Sequence, residues 1–201
     1  MGPGAITIVL LFLLVLLTWQ TVYSSNRDLV RAKAWSDLAR KILPFGALLL
    51  MALSLFIVQA YRDNRVMIAW MVASGVLIIA SSLLSVPALE RQASRAFRRG
   101  DYGRAAELYG QLAEERPLAR NQAFLGAALG ASERYEESIE ASTQAIDKDP
   151  EYGLAYYNRA LILHRLSKKS RAVKDLKRAL EADLPRRFRK AAQRMLADLS
   201  S

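Results

Sequence analysis

One spacing constrains this chain more than its composition does. The segment GDYGRAAELYGQLAEERP, residues 100–117, opens on a Gly-Asp-Tyr turn and closes on Pro117. Within it Ala105 and Tyr109 follow Tyr102 by three and seven residues, which puts all three on one face of a helix. The pattern returns 33 residues later as ERYEESIEASTQAIDKDP, 133–150, and about one repeat on as SKKSRAVKDLKRALEADLP, 167–185. A helical unit of about 34 residues cannot bury its apolar face alone, so successive units must stack.

These residues resemble the tetratricopeptide repeat (TPR). Unit two matches through Leu125, Gly126, Tyr135, Ala145 and Pro150. Unit three matches through Tyr156, Ala160, Leu163, Ala172 and Ala179, but has Ser167 and Lys169 where the family has Gly and Tyr. Unit one matches in its second helix. In its first helix Gln92, Ala93 and Ala96 depart from the pattern, as a terminal unit is free to do. The resemblance covers 88–184 and implies an all-α fold, an α-α superhelix with units at about 86–118, 119–152 and 153–184. Residues 185–201 are expected to form a capping helix. In RRFRKAAQRMLADL, Phe188, Ala191, Ala192, Met195, Leu196 and Leu199 make the apolar stripe that would cover the last unit.

The resemblance also implies a binding site. First helices of TPR units line a concave face, which here draws on Arg91, Ser94 and Arg98, on Arg120, Phe124 and Ala127, and on Tyr157, Asn158, Leu161, His164 and Arg165. The candidate protein-binding groove is Arg98, Arg120, Phe124, Tyr157, Asn158, Leu161 and Arg165. Asn158, in YYNRA, resembles the groove asparagine that holds a peptide backbone. The clamp that grips chaperone C-termini also needs a Lys and an Asn in an earlier unit, where this chain has Ala123 and Ala127. The partner expected is a protein segment, extended or helical, carrying apolar and acidic residues.

Residues 1–87 read differently. Three apolar stretches, about 5–23, 42–61 and 66–86, approach the ~20 residues that cross a bilayer. Trp19 and Tyr23 suit a membrane interface. No Lys or Arg precedes the first stretch, as a cleaved signal peptide would require. Tyr61–Arg65 would make a tight hairpin between the second and third. Arg27, Arg31, Lys33, Arg40 and Lys41 fill the basic loop 24–41, and Arg91, Arg95, Arg98 and Arg99 follow the third stretch. The positive-inside rule then places the N-terminus outside and the repeats in the cytoplasm, at a membrane such as the bacterial inner membrane. The loop's Leu29, Val30, Ala34, Trp35 and Leu38 fit either a short helix on anionic lipid or a solvated connection that fixes topology.

The chain has no cysteine, which removes disulfides and thiolate chemistry. It has no phosphate-binding glycine loop, metal-spaced His/Glu set or nucleophile motif, so no enzyme activity and no cofactor are expected. Its net charge of +10 comes mostly from 159–194, where thirteen Lys/Arg face three acids. The cations Lys168, Lys169, Arg171, Lys174, Lys177 and Arg178 lack stacking aromatics, which argues against nucleic acid. The reading is a membrane-anchored TPR scaffold or adaptor, an assembly factor or subunit of a larger complex. The alternatives are a structural membrane subunit held by its spans, and a periplasmic cytochrome-maturation-like factor of opposite orientation.

Overall fold

The computed structural model describes residues 3–58 and 63–200, with side chains from Phe12 onward apart from 14 and 56. It divides into two compact units, 1–87 and 88–201. Every element among the described residues is helical.

The first unit holds α1 (Pro3–Ser25), the five-residue α2 (Arg27–Arg31), α3 (Trp35–Val58) and α4 (Asn64–Leu84). Loop 24–41 is therefore mostly helix. Asn26 donates its side-chain amide to Val22 O at 2.9 Å, closing α1, and Leu29 is buried at 1% exposure. Lys33 turns through a positive φ of 53°, and α3 starts two residues later. The turn packs α2 against both α1 and α3, so its apolar residue faces protein. Trp35, in contrast, is exposed.

Two helices among the described residues are long and apolar enough to cross a membrane, Trp35–Leu55 and Asn64–Leu84. The side chains of 5–11, and positions 61 and 62 of the predicted hairpin at 61–65, lie outside the described residues. Helix α3 begins seven residues before the stretch predicted at 42, because Asp37, Arg40 and Lys41 continue the same helix. Helices α3 and α4 pack together, and Trp70 Nε1–H donates to Ser54 Oγ across them at 2.9 Å. A half-buried indole N–H gains from such a partner, and the bond ties the pair together at this level. Of the small residues on α4, Ser74 is buried while Ala69 and Ala73 are exposed.

The second unit stacks α5 (Ala88–Arg98), α6 (Tyr102–Glu115), α7 (Ala119–Ala131), α8 (Tyr135–Lys148), α9 (Gly153–Arg165), α10 (Lys169–Glu181) and α11 (Arg186–Ser200). The first six are three helical hairpins. Alanines with no exposed surface sit where helices cross, among them Ala93, Ala105, Ala123, Ala145, Ala160 and Ala172. Glycine goes further at Gly126, where an added Cβ would stand 2.6 Å from Ser142 Oγ and 3.2 Å from Ser138 O. Ser138 exploits that approach by donating its hydroxyl to Gly126 O at 2.7 Å. One core cluster joins units one and two, another joins unit three to α11, and Phe124 packs against both.

The three hairpins share one turn. Ala96 O, Leu129 O and Leu163 O accept the N–H five residues on, from Asp101, Arg134 and Lys168, at 3.1, 2.9 and 2.8 Å. That is the closing bond of a Schellman motif, whose preceding residue must turn left-handed. The residues there are Gly100 at φ 82°, Glu133 at 65° and Ser167 at 58°. The missing glycine of unit three therefore leaves the turn geometry unchanged and adds strain. An L-residue is disfavoured there by roughly 1–2 kcal/mol, and glycine returns part of that as chain entropy. Ser167→Gly should thus stabilise the second unit by about 1 kcal/mol, read as a higher denaturant midpoint at unchanged slope. A lower midpoint would mean that the serine side chain has a role in the turn.

Candidate functional site

The residues predicted to line one groove fall into two groups. Phe124, Tyr157 and Leu161 meet in one apolar cluster. Phe124, on α7, is half-buried with its ring 5.5 Å from that of Tyr109. Leu161, on α9, is also half-buried. Tyr157 is 9% exposed, with its ring 5.5 Å from that of Phe188 on α11. Burial pushes the Tyr157 phenol up from its ordinary pKa. Tyr157 therefore lies beneath the closing helix, where a following repeat would otherwise pack.

Asn158 is 8% exposed, and its side-chain amide donates to Ala123 O at 2.9 Å. One of its two N–H donors joins α9 to α7. The physical reason is proximity: the methyl side chain of Ala123 leaves the backbone of α7 within reach. Arg98 and Arg165 are exposed, and Arg120 is half-buried near the start of α7. Arg165 Nη1 makes a long contact of 3.5 Å to the Tyr135 hydroxyl. Of the neighbouring positions, Arg91, Ser94 and Ala127 are half-buried and His164 is exposed. Ser94 Oγ lies 3.0 Å from the Tyr109 hydroxyl. Burial raises the Tyr109 pKa, and that hydrogen bond offsets it in part. No group of three His, Asp or Glu among the described residues converges as a metal site.

The sequence pattern missed the polar ties that hold these helices. Arg159 on α9 binds Asp175 on α10 through two parallel bonds, Nε to Oδ2 at 2.7 Å and Nη2 to Oδ1 at 2.9 Å. Its Nη1 also donates to Thr143 Oγ1 on α8 at 3.0 Å. The pairing holds the Arg159 pKa above its ordinary value despite burial. Asn121 donates its amide to Arg116 O at 2.8 Å, tying α7 to the end of α6. Arg178 donates to Pro150 O at 3.2 Å, pairs with Glu151 and lies over the Tyr156 ring at 5.7 Å. It is a structural contact, unlike its exposed neighbours Lys174 and Lys177. The apolar stripe of α11 is also narrower than predicted. Ala192 and Leu199 are buried and Phe188, Met195 and Leu196 half-buried, but Ala191 is exposed.

Residues 124–185 match the tetratricopeptide repeat family model. That match and the stacked hairpins support a TPR protein. Solved structures agree in fold. The TPR2B domain of yeast Sti1, solved as a complex with pHsp70, is 22% identical with a TM-score of 0.52, covering 56% of this chain and 93% of its own. The first TPR domain of Spaghetti (RPAP3), solved with an HSP90 peptide, is 23% identical with a TM-score of 0.51, covering 56% and 87%. The Yersinia enterocolitica type III secretion translocator chaperone SycD is 20% identical with a TM-score of 0.52, covering 56% and 89%. At these identities the likeness is one of fold. No curated protein matches the chain. Of the residues predicted to line the concave face, Phe124, Ala127 and Leu161 are half-buried and Arg98 and Arg165 exposed.

Proposed function

We propose that this chain is a membrane-anchored TPR scaffold that binds a protein segment on its concave face and positions that protein at the cytoplasmic side of a membrane. The observation that carries the reading is a division of surface. Among the described residues, every exposed large apolar side chain lies between Phe12 and Leu84, and none lies in the repeats. Water does not tolerate so large an apolar surface, whereas a bilayer does. The repeats have the opposite character, an apolar core under a charged exterior, and need only a ligand. The Lys/Arg in loop 24–41 and after α4 favours a cytoplasmic repeat unit.

The ligand suited to the remaining groove has an apolar anchor for Phe124 and Leu161 and acidic residues for Arg98 and Arg165. The HSP90 peptide in the Spaghetti complex, SRMEEVD, carries three acids, which is consistent with that chemistry. Tyr157 and Asn158 serve the fold beneath this surface. Photo-crosslinking in native membranes tests the reading. A crosslinker at Leu161 should capture a defined protein, one at exposed Glu140 on α8 should not, and Arg98→Glu should weaken capture most at low salt. Capture from Glu140 alone would move the binding surface off the groove. A cysteine placed at Ser201 should resist an impermeant thiol reagent in intact cells. Ready labelling would reverse the orientation and favour the periplasmic alternative.

A further inference from the structure

Charge is distributed unevenly over the second unit. Arg104 pairs with Glu107 and Arg134 with Glu137, so the exposed cations of α6 and the α8 turn have acidic partners. The exposed side of α10 differs. Arg171, Lys174 and Lys177 recur at helical spacing on it, and no ion pair is formed by any of them among the described residues. Helix α11 packs against α10 and adds exposed Arg186, Lys190 and Arg194, again without an acidic partner. Glu181 lies 3.8 Å from Arg178, and the three nearby acids, Glu181, Asp183 and Asp198, are outnumbered two to one by these six cations. A fold gains nothing from six unpaired like charges on two adjacent helices, because they repel. Such a surface asks for an anion from outside.

We propose that the α10–α11 surface docks onto anionic lipid headgroups of the membrane in which the chain is anchored, apart from the groove. The proposal rests on the membrane-anchored reading. Three residues, Ser85 to Pro87, separate α4 from α5, so an inserted α4 would tether the repeats to the bilayer by a short segment, at a high effective concentration of headgroups. At that effective concentration a polybasic surface of this size is sufficient for headgroup binding. Nucleic acid fits less well, because the aromatics nearby are engaged: Tyr156 is buried and Phe188 packs on Tyr157.

The test uses the full chain reconstituted into bilayers of phosphatidylcholine alone or phosphatidylcholine with phosphatidylglycerol. A water-soluble amine reagent and mass spectrometry then read each lysine. Lys174, Lys177 and Lys190 should react several-fold more slowly in the anionic bilayer, high salt should remove the difference, and exposed Lys148 should be unaffected. In the variant R171Q/K174Q/K177Q, whose changes are all at exposed positions, protection of Lys190 should weaken. Equal labelling in both bilayers overturns the proposal with the anchoring intact. Protection that appears in the neutral bilayer only on adding polyglutamate or RNA overturns it in favour of that partner. Failure of the chain to resist carbonate extraction overturns the anchored reading, and the proposal with it.

Discussion

Asp175→Ala should lose about 3–5 kcal/mol of the stability of the repeat unit, a large fraction of what a domain of this size possesses. The carboxylate is 8% exposed and its partner guanidinium 18%. Removing it leaves the Arg159 charge half-buried, with Thr143 Oγ1, the Tyr156 ring 5.9 Å away and a weaker coulombic attraction from Asp147. None of these replaces the bidentate carboxylate. Arg159 also links α8, α9 and α10, so the loss should fall on the junction of units two and three. The double change Arg159→Met with Asp175→Leu should recover most of the loss, because two apolar side chains of similar size need no solvation. Denaturant unfolding of the four members of that cycle measures it. A single-mutant loss below about 1 kcal/mol would show that the pair behaves as an exposed one.

Ending the chain after Leu184 should have the larger effect. Helix α11 covers unit three with Phe188, Ala192, Met195, Leu196 and Leu199. At roughly 1.5–3 kcal/mol for each large apolar side chain fully buried, and less for those half-covered, the loss is on the order of 5 kcal/mol. It also uncovers Tyr157, Leu163 and Leu176, which are now 9%, 1% and 0% exposed. The truncated chain should aggregate or melt far lower, and the tyrosine near-ultraviolet signal should weaken as Tyr157 becomes mobile. Phe188→Ala separates packing from length. It should lower the melting temperature without removing the helix. An unchanged cooperative transition in the truncated chain would show that α11 contributes no cover.

The architecture was legible because it is written in small residues. Ala105 and Ala172 stand two repeats apart and Ala145 and Ala179 one repeat apart, and all four are fully buried. Side chains with two possible uses were not legible. Asn158 has the right neighbours for a ligand contact, and that one of its amide N–H groups reaches Ala123 O is visible only as a three-dimensional distance. Tyr157 reads as a groove aromatic until α11 is placed over it. Arg159 and Asp175 lie 16 positions apart, a separation with no helical period, so nothing in the sequence announces them as a pair. Ser167 shows the reverse case. Its identity departs from the repeat, yet the turn keeps its shape because three backbone hydrogen-bonded turns of the same length require it.

The seating of α11 has a consequence for engineering. Phe188 rests on Tyr157 and Arg189 reaches Leu180 O, and both of those partners belong to residues 153–184. The lid thus recognises a surface that a single module supplies in full. Duplicating 153–184 in tandem would present an identical seat to the same lid one module further along. Array length is therefore an adjustable quantity in this scaffold, and the concave surface could be lengthened without redesigning either the hydrophobic seat or the helix that occupies it.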